Sequence, residues 1–347
     1  MEEQKINLLN LTLPELETWI QALGEPKFRA GQIFDWLHRK QVTRIEEMTN
    51  LSKALQEKLR QAAEVPEVEM IRLQTDREDG TQKFLYRLAD GQYVETVRMN
   101  YEFGSSLCIS SQVGCRMGCT FCASTLGGLS RSLSGAEMLL QFYESERRFG
   151  PLHSVVVMGM GEPFDNYAEL LRFIEIITHP KGRNLGARHI TVSTCGLVPQ
   201  IKAFADLLWQ VNLAVSLHQA TQEKRAAIMP IARKYDLKEL KEACLYYVDK
   251  TNRRITFEYG LIEQETDRME DAEALVRFCR GLLCHINLIP INPVARKEQQ
   301  PPDKRRQYAF KNYLEKAGLP VSLRRTLGKN IDAACGQLKK KEEELCR

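Results

Sequence analysis

Cys115, Cys119 and Cys122 stand in the run Cys-Arg-Met-Gly-Cys-Thr-Phe-Cys, a C-x3-C-x2-C spacing with an aromatic just before the third thiol. Three thiols this close in a loop can hold one polynuclear cluster. Ferredoxin-type sites use four cysteines per four-iron cube, and no fourth follows here at a matching short distance. A cube tied at three corners leaves one iron open. By analogy with zinc, closed metal sites are structural and open ones do chemistry. Spacing alone leaves two other readings open: a zinc knuckle that borrows a distant ligand, or three buried thiols with no metal. Zinc sites more often show paired short spacings.

Polar residues recur at the ends of apolar stretches. Gly161 and Glu162 follow the stretch 153–160, where glycine lets a ligand approach the backbone and the carboxylate can accept from an ammonium. Ser193 closes 189–195, Ser216, Leu217 and His218 close 212–218, and Asn292 follows 285–291. Each alone reads equally as a helix cap or turn residue. In register, they would ring one sheet edge with hydrogen-bonding groups. Two thiols lie apart from the triplet. Cys108 precedes it, and Cys335 sits among small residues in Asp-Ala-Ala-Cys-Gly-Gln-Leu. Either can be a buried filler, but small neighbours make Cys335 accessible and accessible thiols near cationic groups are reactive. Glu95 shares a strand face with Tyr93 and Val97, an apolar setting for a carboxylate.

The elements that must hold these groups alternate. Strand patterns at 107–111, 153–160, 189–195, 212–218, 254–261, 285–291 and 320–325 are separated by helical patterns at 134–149, 166–178, 198–208, 237–250, 270–282 and 303–317. Such repetition predicts an α/β fold with a parallel sheet and right-handed crossovers. Six or so units fall short of a closed eight-unit barrel, so the expectation is an open, partial barrel with active groups at the strands' C-terminal ends. Residues 1–65 read as a small helical domain, opened by the Thr12–Glu15 capping box. Arg29, His38, Arg39 and Lys40 around its second helix read as a solvated face or as a phosphate-gripping side. Residues 66–100 change to strand period, with Asp79-Gly80 and Asp90-Gly91 as turns of a β-hairpin extension. Residues 101–347 carry the barrel and the Cys335 loop.

The 347 residues are 43% hydrophobic and 27% charged, ordinary for a globular protein. No apolar stretch is long enough to span a bilayer, and the start, Met-Glu-Glu-Gln-Lys, lacks a signal-peptide pattern. A cytoplasmic chain without membrane partners is expected, its ten cysteines reduced and suited to metal or redox work rather than structural disulfides. A net charge of +4 permits a nucleic-acid partner without demanding one. Arg296-Lys297, Lys304-Arg305-Arg306 and Arg324-Arg325 are candidate RNA contacts.

The cysteine triplet resembles that of the radical S-adenosylmethionine (SAM) enzymes. With Ser110-Ser111-Gln112-Val113-Gly114-Cys115, Gly159-Met160-Gly161-Glu162-Pro163, Ser216-Leu217-His218 and Ile331-Asp332-Ala333-Ala334-Cys335-Gly336-Gln337-Leu338, nearly the whole chain is similar to the RlmN/Cfr family of radical SAM RNA methyltransferases. The resemblance implies a (β/α)6 radical SAM barrel, a [4Fe-4S] cluster on Cys115, Cys119 and Cys122, and two SAM molecules per turnover. It implies SAM contacts from Gly161, Glu162, Ser193, Ser216, Leu217, His218 and Asn292. Cys335 would carry the methyl group, Cys108 would resolve the RNA adduct by forming a disulfide, and Glu95 would accept a proton. The substrate would be C2 of adenosine in 23S rRNA and tRNA, with a flavodoxin or ferredoxin as electron donor and a monomer as the working form. The C8-methylating branch of the family shares both thiols and the cluster, so these do not separate the two. Cys195 departs from a common Ser and Ile291 from a common Trp, which leaves pocket detail open.

Overall fold

The computed structural model describes residues 5–102, 104–292, 299–325, 327–333 and 336–338. Its frame is a ten-stranded sheet. Strands β1 (Ile6–Asn7) and β2 (Ala63–Glu64) form a separate parallel pair that closes the N-terminal module. Within that module, α1 (Leu13–Ala22), α2 (Phe28–His38) and α3 (Lys53–Ala62) bury Leu16, Ile20, Ile33, Phe34, Leu37, Leu55 and Leu59 against one another. The first helix starts where the sequence says it should. The Thr12 amide donates to Glu15 Oε2 at 2.8 Å, and Ser52 Oγ likewise accepts from the Leu55 amide to start α3.

Four antiparallel strands follow: β3 (Glu69–Thr75), β4 (Gln82–Arg87), β5 (Tyr93–Tyr101) and β6 (Gly104–Ile109). The extension is therefore not a separate leaf. Its strands continue the barrel sheet, because β6 turns parallel on its other edge to β9 (Ser154–Val157). Between these two strands lie a small antiparallel pair, β7 (Gln112–Gly114) and β8 (Leu129–Ser132), and α4 (Gly135–Phe149). The pair clasps the base of the cysteine loop, a detail that strands of three and four residues hide from pattern reading.

The parallel run continues through β10 (Ile190–Thr194), β11 (Asn212–Ser216), β12 (Ile255–Leu261), β13 (Cys284–Pro290) and β14 (Val321–Leu323). The crossovers are α4, α5 (Tyr167–Thr178), α6 (Val198–Asp206), the pair α7 (Gln222–Ile228) and α8 (Leu237–Thr251), α9 (Met269–Cys279) and α10 (Lys304–Lys316). That makes six βα units and a short closing strand, the open α/β barrel the alternation predicts. Strand residues such as Val155, Val157, Val192, Leu213, Val215 and Ile286 are fully or nearly fully buried, as a sheet covered by helices requires.

His38 departs from both readings of the basic helix face. It is fully buried at the seam between module and barrel, where Nδ1 meets the Tyr143 hydroxyl at 3.0 Å. Burial, with repulsion from His179, lowers it to about 3, so it docks as a neutral ring. Among the described residues no helix is long and apolar enough to cross a membrane.

Candidate active site

A cleft of about 1000 Å³, counted to its open mouth, lies over the C-terminal ends of the parallel strands. Cys115, Cys119 and Cys122 form one wall, and Gly161, Glu162, Ser193, Ser216, His218 and Asn292 line the rest. The strand-end residues singled out in sequence are thus brought together, as parallel α/β sheets arrange. Leu217 is the exception. Its side chain is fully buried beneath the cleft, and only its backbone takes part, donating to Glu258 O at 3.0 Å and accepting from Arg225 Nε at 3.1 Å.

The thiols suit a highly charged group. Burial pushes Cys115 up to about 12 and raises Cys119 as well, with charge on Cys122 adding to both. Three thiolates in this setting need a strong cation beside them. Three thiols on one wall of an open cleft fit a cluster tied at three corners.

Glu162 faces this wall from the β9 end and is nine-tenths buried. Its Oε1 accepts from the Phe164 amide at 3.0 Å and its Oε2 from the Cys195 amide at 2.7 Å. No Lys or Arg among the described residues lies within ion-pair distance of it. A buried carboxylate without a protein cation, open to a ligand cleft, suits an amino group. The turn before it is set by Gly161, whose φ of +103° and 2.6 Å clearance from an added Cβ to Gln112 Cβ admit only glycine. Gln112 in turn accepts from the Glu162 amide at 2.9 Å.

Across the cleft, His218 Nδ1 accepts from the Gly260 amide at 2.8 Å. Burial and the nearby Arg225 lower it to about 3. The ring is therefore neutral, with its proton on Nε2. Phe121, the aromatic of the cysteine loop, stands edge-on to it at 4.6 Å between centroids.

A second pocket adjoins the first through Cys122, Met158, Gly159, Asn292, Arg324 and Gly336. Cys108 lies in its wall, packed with Val97, Met99, Met160, Ala333 and Leu338. Cys335 itself lies outside the described residues, but its neighbours on both sides are held. Ala333 packs in the Cys108 cluster, the Ala123 amide donates to Gly336 O at 2.7 Å, and Ser124 Oγ donates to Leu338 O at 2.7 Å. Glu95 is buried one step behind Val97, the register partner of Cys108, and Lys83 Nζ sits 3.2 Å from its Oε1.

Two residues escaped sequence reading, and a third has a further place. Arg225 is 1% exposed under the cleft floor and donates to the carbonyls of Leu217, Cys195 and Ser216. Glu258 lines the cleft at 5% exposure, in register with Asn287, whose Nδ2 it accepts from at 2.8 Å. Arg324, a candidate RNA contact by sequence, lines both pockets. A Glu centred in the apolar run Ile-Thr-Phe-Glu-Tyr-Gly-Leu was the available signal for Glu258. Among the other basic candidates, Arg306 is held by Asp267 at 2.8 Å and Arg296-Lys297 lies outside the described residues.

Comparison with known proteins follows the same outline. Residues 6–65 match the family described as ribosomal RNA large subunit methyltransferase N-terminal domain, and residues 109–279 match the radical SAM superfamily. The chain is 49% identical to a probable dual-specificity RNA methyltransferase RlmN of Lachnospira eligens, over 97% of each chain. It is 48% identical to the protein of the same name from Bacillus cytotoxicus, over 99% of this chain and 96% of that one. Its structure superposes with a TM-score of 0.92 on a radical SAM methyltransferase from Sphaerobacter thermophilus, at 43% identity, covering 96% of this chain and 99% of that one. With cysteine loop, strand-end cleft, N-terminal module and full-length identity in agreement, the chain belongs to the RlmN family of radical SAM RNA methyltransferases.

Proposed function

We propose that the protein methylates C2 of adenosine in 23S rRNA and in tRNA, with Cys335 as the thiol that carries the methyl group. The observation that carries this reading is the double bracketing of Cys335: Ala333 packs with Cys108, and Gly336 bonds to the residue after Cys122. Cys115, Cys119 and Cys122 would hold a [4Fe-4S] cluster and Glu162, Ser193, Ser216, His218 and Asn292 would hold SAM. Bound there, the cluster and SAM supply a methyl group to a thiol and a radical that activates it for attack on an electron-poor ring carbon.

The chain's own groups do the rest. The Cys335 thiolate accepts the methyl, since C2 between two ring nitrogens is no nucleophile. Glu95 accepts the C2 proton from the adduct that joins RNA to Cys335, and the adduct's unpaired electron would return to the cluster. The Cys108 thiolate then attacks the Cys335 sulfur; the sulfur–sulfur bond forms as the sulfur–carbon bond breaks, the freed carbon takes a proton to become the methyl group, and methyladenosine leaves behind a disulfide between the two thiols. An external dithiol returns both to the reduced state. Glu162 would hold the amino group of SAM, and neutral His218 would offer Nε2–H to an acceptor atom of SAM.

The target base must be unstacked to reach a cleft this enclosed. Residues 1–65 would serve as an RNA-binding domain, 66–100 as the extension that joins it to the barrel, and 101–347 as the catalytic part. A flavodoxin or ferredoxin would donate electrons to a cytoplasmic monomer. Anaerobic reconstitution with labelled SAM and ribosomal RNA, followed by nucleoside analysis, tests the reading. Label at C2 of adenosine is expected, and label at C8 would move the protein to the other branch.

A further inference from the structure

The tip of the β3–β4 hairpin holds the chain that leads to Cys335. Asp79 Oδ2 accepts from the Gly328 amide at 2.8 Å. Asp76 accepts from the Asn330 amide at 3.1 Å and from its Nδ2 at 3.2 Å. Gly328, at φ +65°, lies so close to Thr81 that an added Cβ would come within 2.9 Å of its Cγ2. The fourth attachment is a cation. Lys83 Nζ donates to the Asp332 carbonyl at 3.2 Å, and the same nitrogen stands 3.2 Å from Glu95 Oε1. The two side chains are 4% and 2% exposed.

A lysine buried to this degree in a hairpin strand calls for a reason. Stability alone is a weak one, since buried ion pairs are often replaced by apolar residues at no loss. The geometry supplies another. An ammonium has three donors to place, and here one goes to a carboxylate on β5 and one to a carbonyl three residues before Cys335. The carboxylate and the loop thus share one point of attachment.

We propose that Lys83 is a positioning residue that fixes the Glu95 carboxylate and the Cys335 loop relative to each other, with the β3–β4 hairpin as the dock for residues 328–332. The proposal rests on the roles given above to Glu95 and Cys335, and it predicts a defect in transfer to RNA rather than in SAM binding. An ammonium lost from between them frees the loop and removes one hold on the carboxylate.

The test compares Lys83→Met, Lys83→Arg, Glu95→Gln and the Lys83→Met/Glu95→Gln pair in the reconstituted full chain. The double variant removes both charges and guards against misfolding from a buried carboxylate that has lost its cation. Hydrogen exchange at Gly328, Asn330, Ile331 and Ala333, all hydrogen-bonded amides, is read first. Exchange about tenfold faster is expected in both Lys83→Met chains, the size of a lost charged hydrogen bond, with β5 and β6 amides unchanged. RNA methylation by Lys83→Met should fall about tenfold in kcat with KM for SAM held within about twofold, and Lys83→Arg should restore part of it. Unchanged exchange in both Lys83→Met chains overturns the tether. Faster exchange with undiminished kcat overturns the positioning role. Full methylation by Glu95→Gln alone would instead remove Glu95 from the reaction, and the exchange result still decides whether Lys83 ties down the loop.

Discussion

The Cys195 amide donates to Glu162 Oε2 at 2.7 Å, a bond that joins the end of β10 to the turn after β9 across the cleft floor. It leaves a carboxylate with backbone N–H groups on one side and the ligand cleft on the other. Burial raises the Glu162 carboxyl above its ordinary range, while the N–H groups of Cys195 and Phe164 pull it partly back. The sign follows. Folding favours the protonated form more than the unfolded chain does, so this group's contribution to stability is present below the ordinary carboxylate range and is lost as pH rises through the raised value. An ammonium ligand needs the ionised form and inverts the demand. SAM affinity should therefore fall as pH drops through the raised value, at a higher pH than an exposed Glu would give. Titration calorimetry from the ordinary carboxylate range up to neutrality checks this, and Glu162→Gln should weaken binding by about tenfold or more and flatten the pH dependence. A flat profile in the parent chain would remove Glu162 from the SAM site.

Gly161 sets where that carboxylate points. At φ +103°, and with Gln112 Cβ 2.6 Å from any added Cβ, alanine is strained in backbone and in space at once. Gln112 holds the Glu162 amide on one side and Asp165 on the other, so it has little room to yield. Gly161→Ala should cost about 2 kcal/mol or more in chemical denaturation. SAM binding should weaken with it. Gly127, where nothing lies within 4 Å of an added Cβ, is the matched control and should tolerate alanine.

Arg225 ties three strand-end carbonyls together from below: Leu217 at 3.1 Å, Cys195 at 2.7 Å and Ser216 at 3.3 Å. Only a planar fork reaches all three. Arg225→Lys keeps the charge but strands part of this set, and about 2–3 kcal/mol of stability should go with it. The same change should raise KM for SAM, since Ser216 and Cys195 line the cleft. Thermal denaturation and SAM titration of the one variant report both effects.

The groups that drew notice in sequence were those whose chemistry and backbone position coincide. Glycine then glutamate after an apolar strand, or serine and histidine closing one, reads as a rim because strand alternation and parallel topology leave few other places for them. The six βα units were legible for the same reason. Arg225 was not. It sits in Gln-Glu-Lys-Arg-Ala-Ala-Ile, a charged helical stretch whose composition suits solvent, and only the tertiary packing of α7 beneath the strand ends buries it. His38 failed the same way: its neighbours Arg39 and Lys40 are surface residues, and the barrel's α4 turns one face of the helix end inward. The hold of Asp76 and Asp79 on residues 328–330 spans some 250 positions, which no local pattern encodes. The turn signal at Asp79-Gly80 was correct but incomplete, because the turn is also a dock.

The two thiols of the proposed reaction have different tasks, and the difference yields opposite outcomes on removal. Cys108 belongs to a strand, is 8% exposed, and packs among Val97, Met99 and Met160. Alanine there leaves the loop and the cleft intact but takes away the group that frees the product. Cys108→Ala should therefore accumulate RNA joined to the protein, seen as a slow band on denaturing gels that nuclease collapses. Cys335→Ala removes the methyl carrier while the cleft that binds SAM keeps its walls, so methyl transfer should vanish and SAM cleavage should persist. The Cys108→Ala/Cys335→Ala chain should show neither the band nor methylated RNA, because no adduct forms without the carrier. Free, fully methylated RNA from Cys108→Ala would exclude Cys108 as the resolving thiol, and a band from the double variant would place the adduct on another residue.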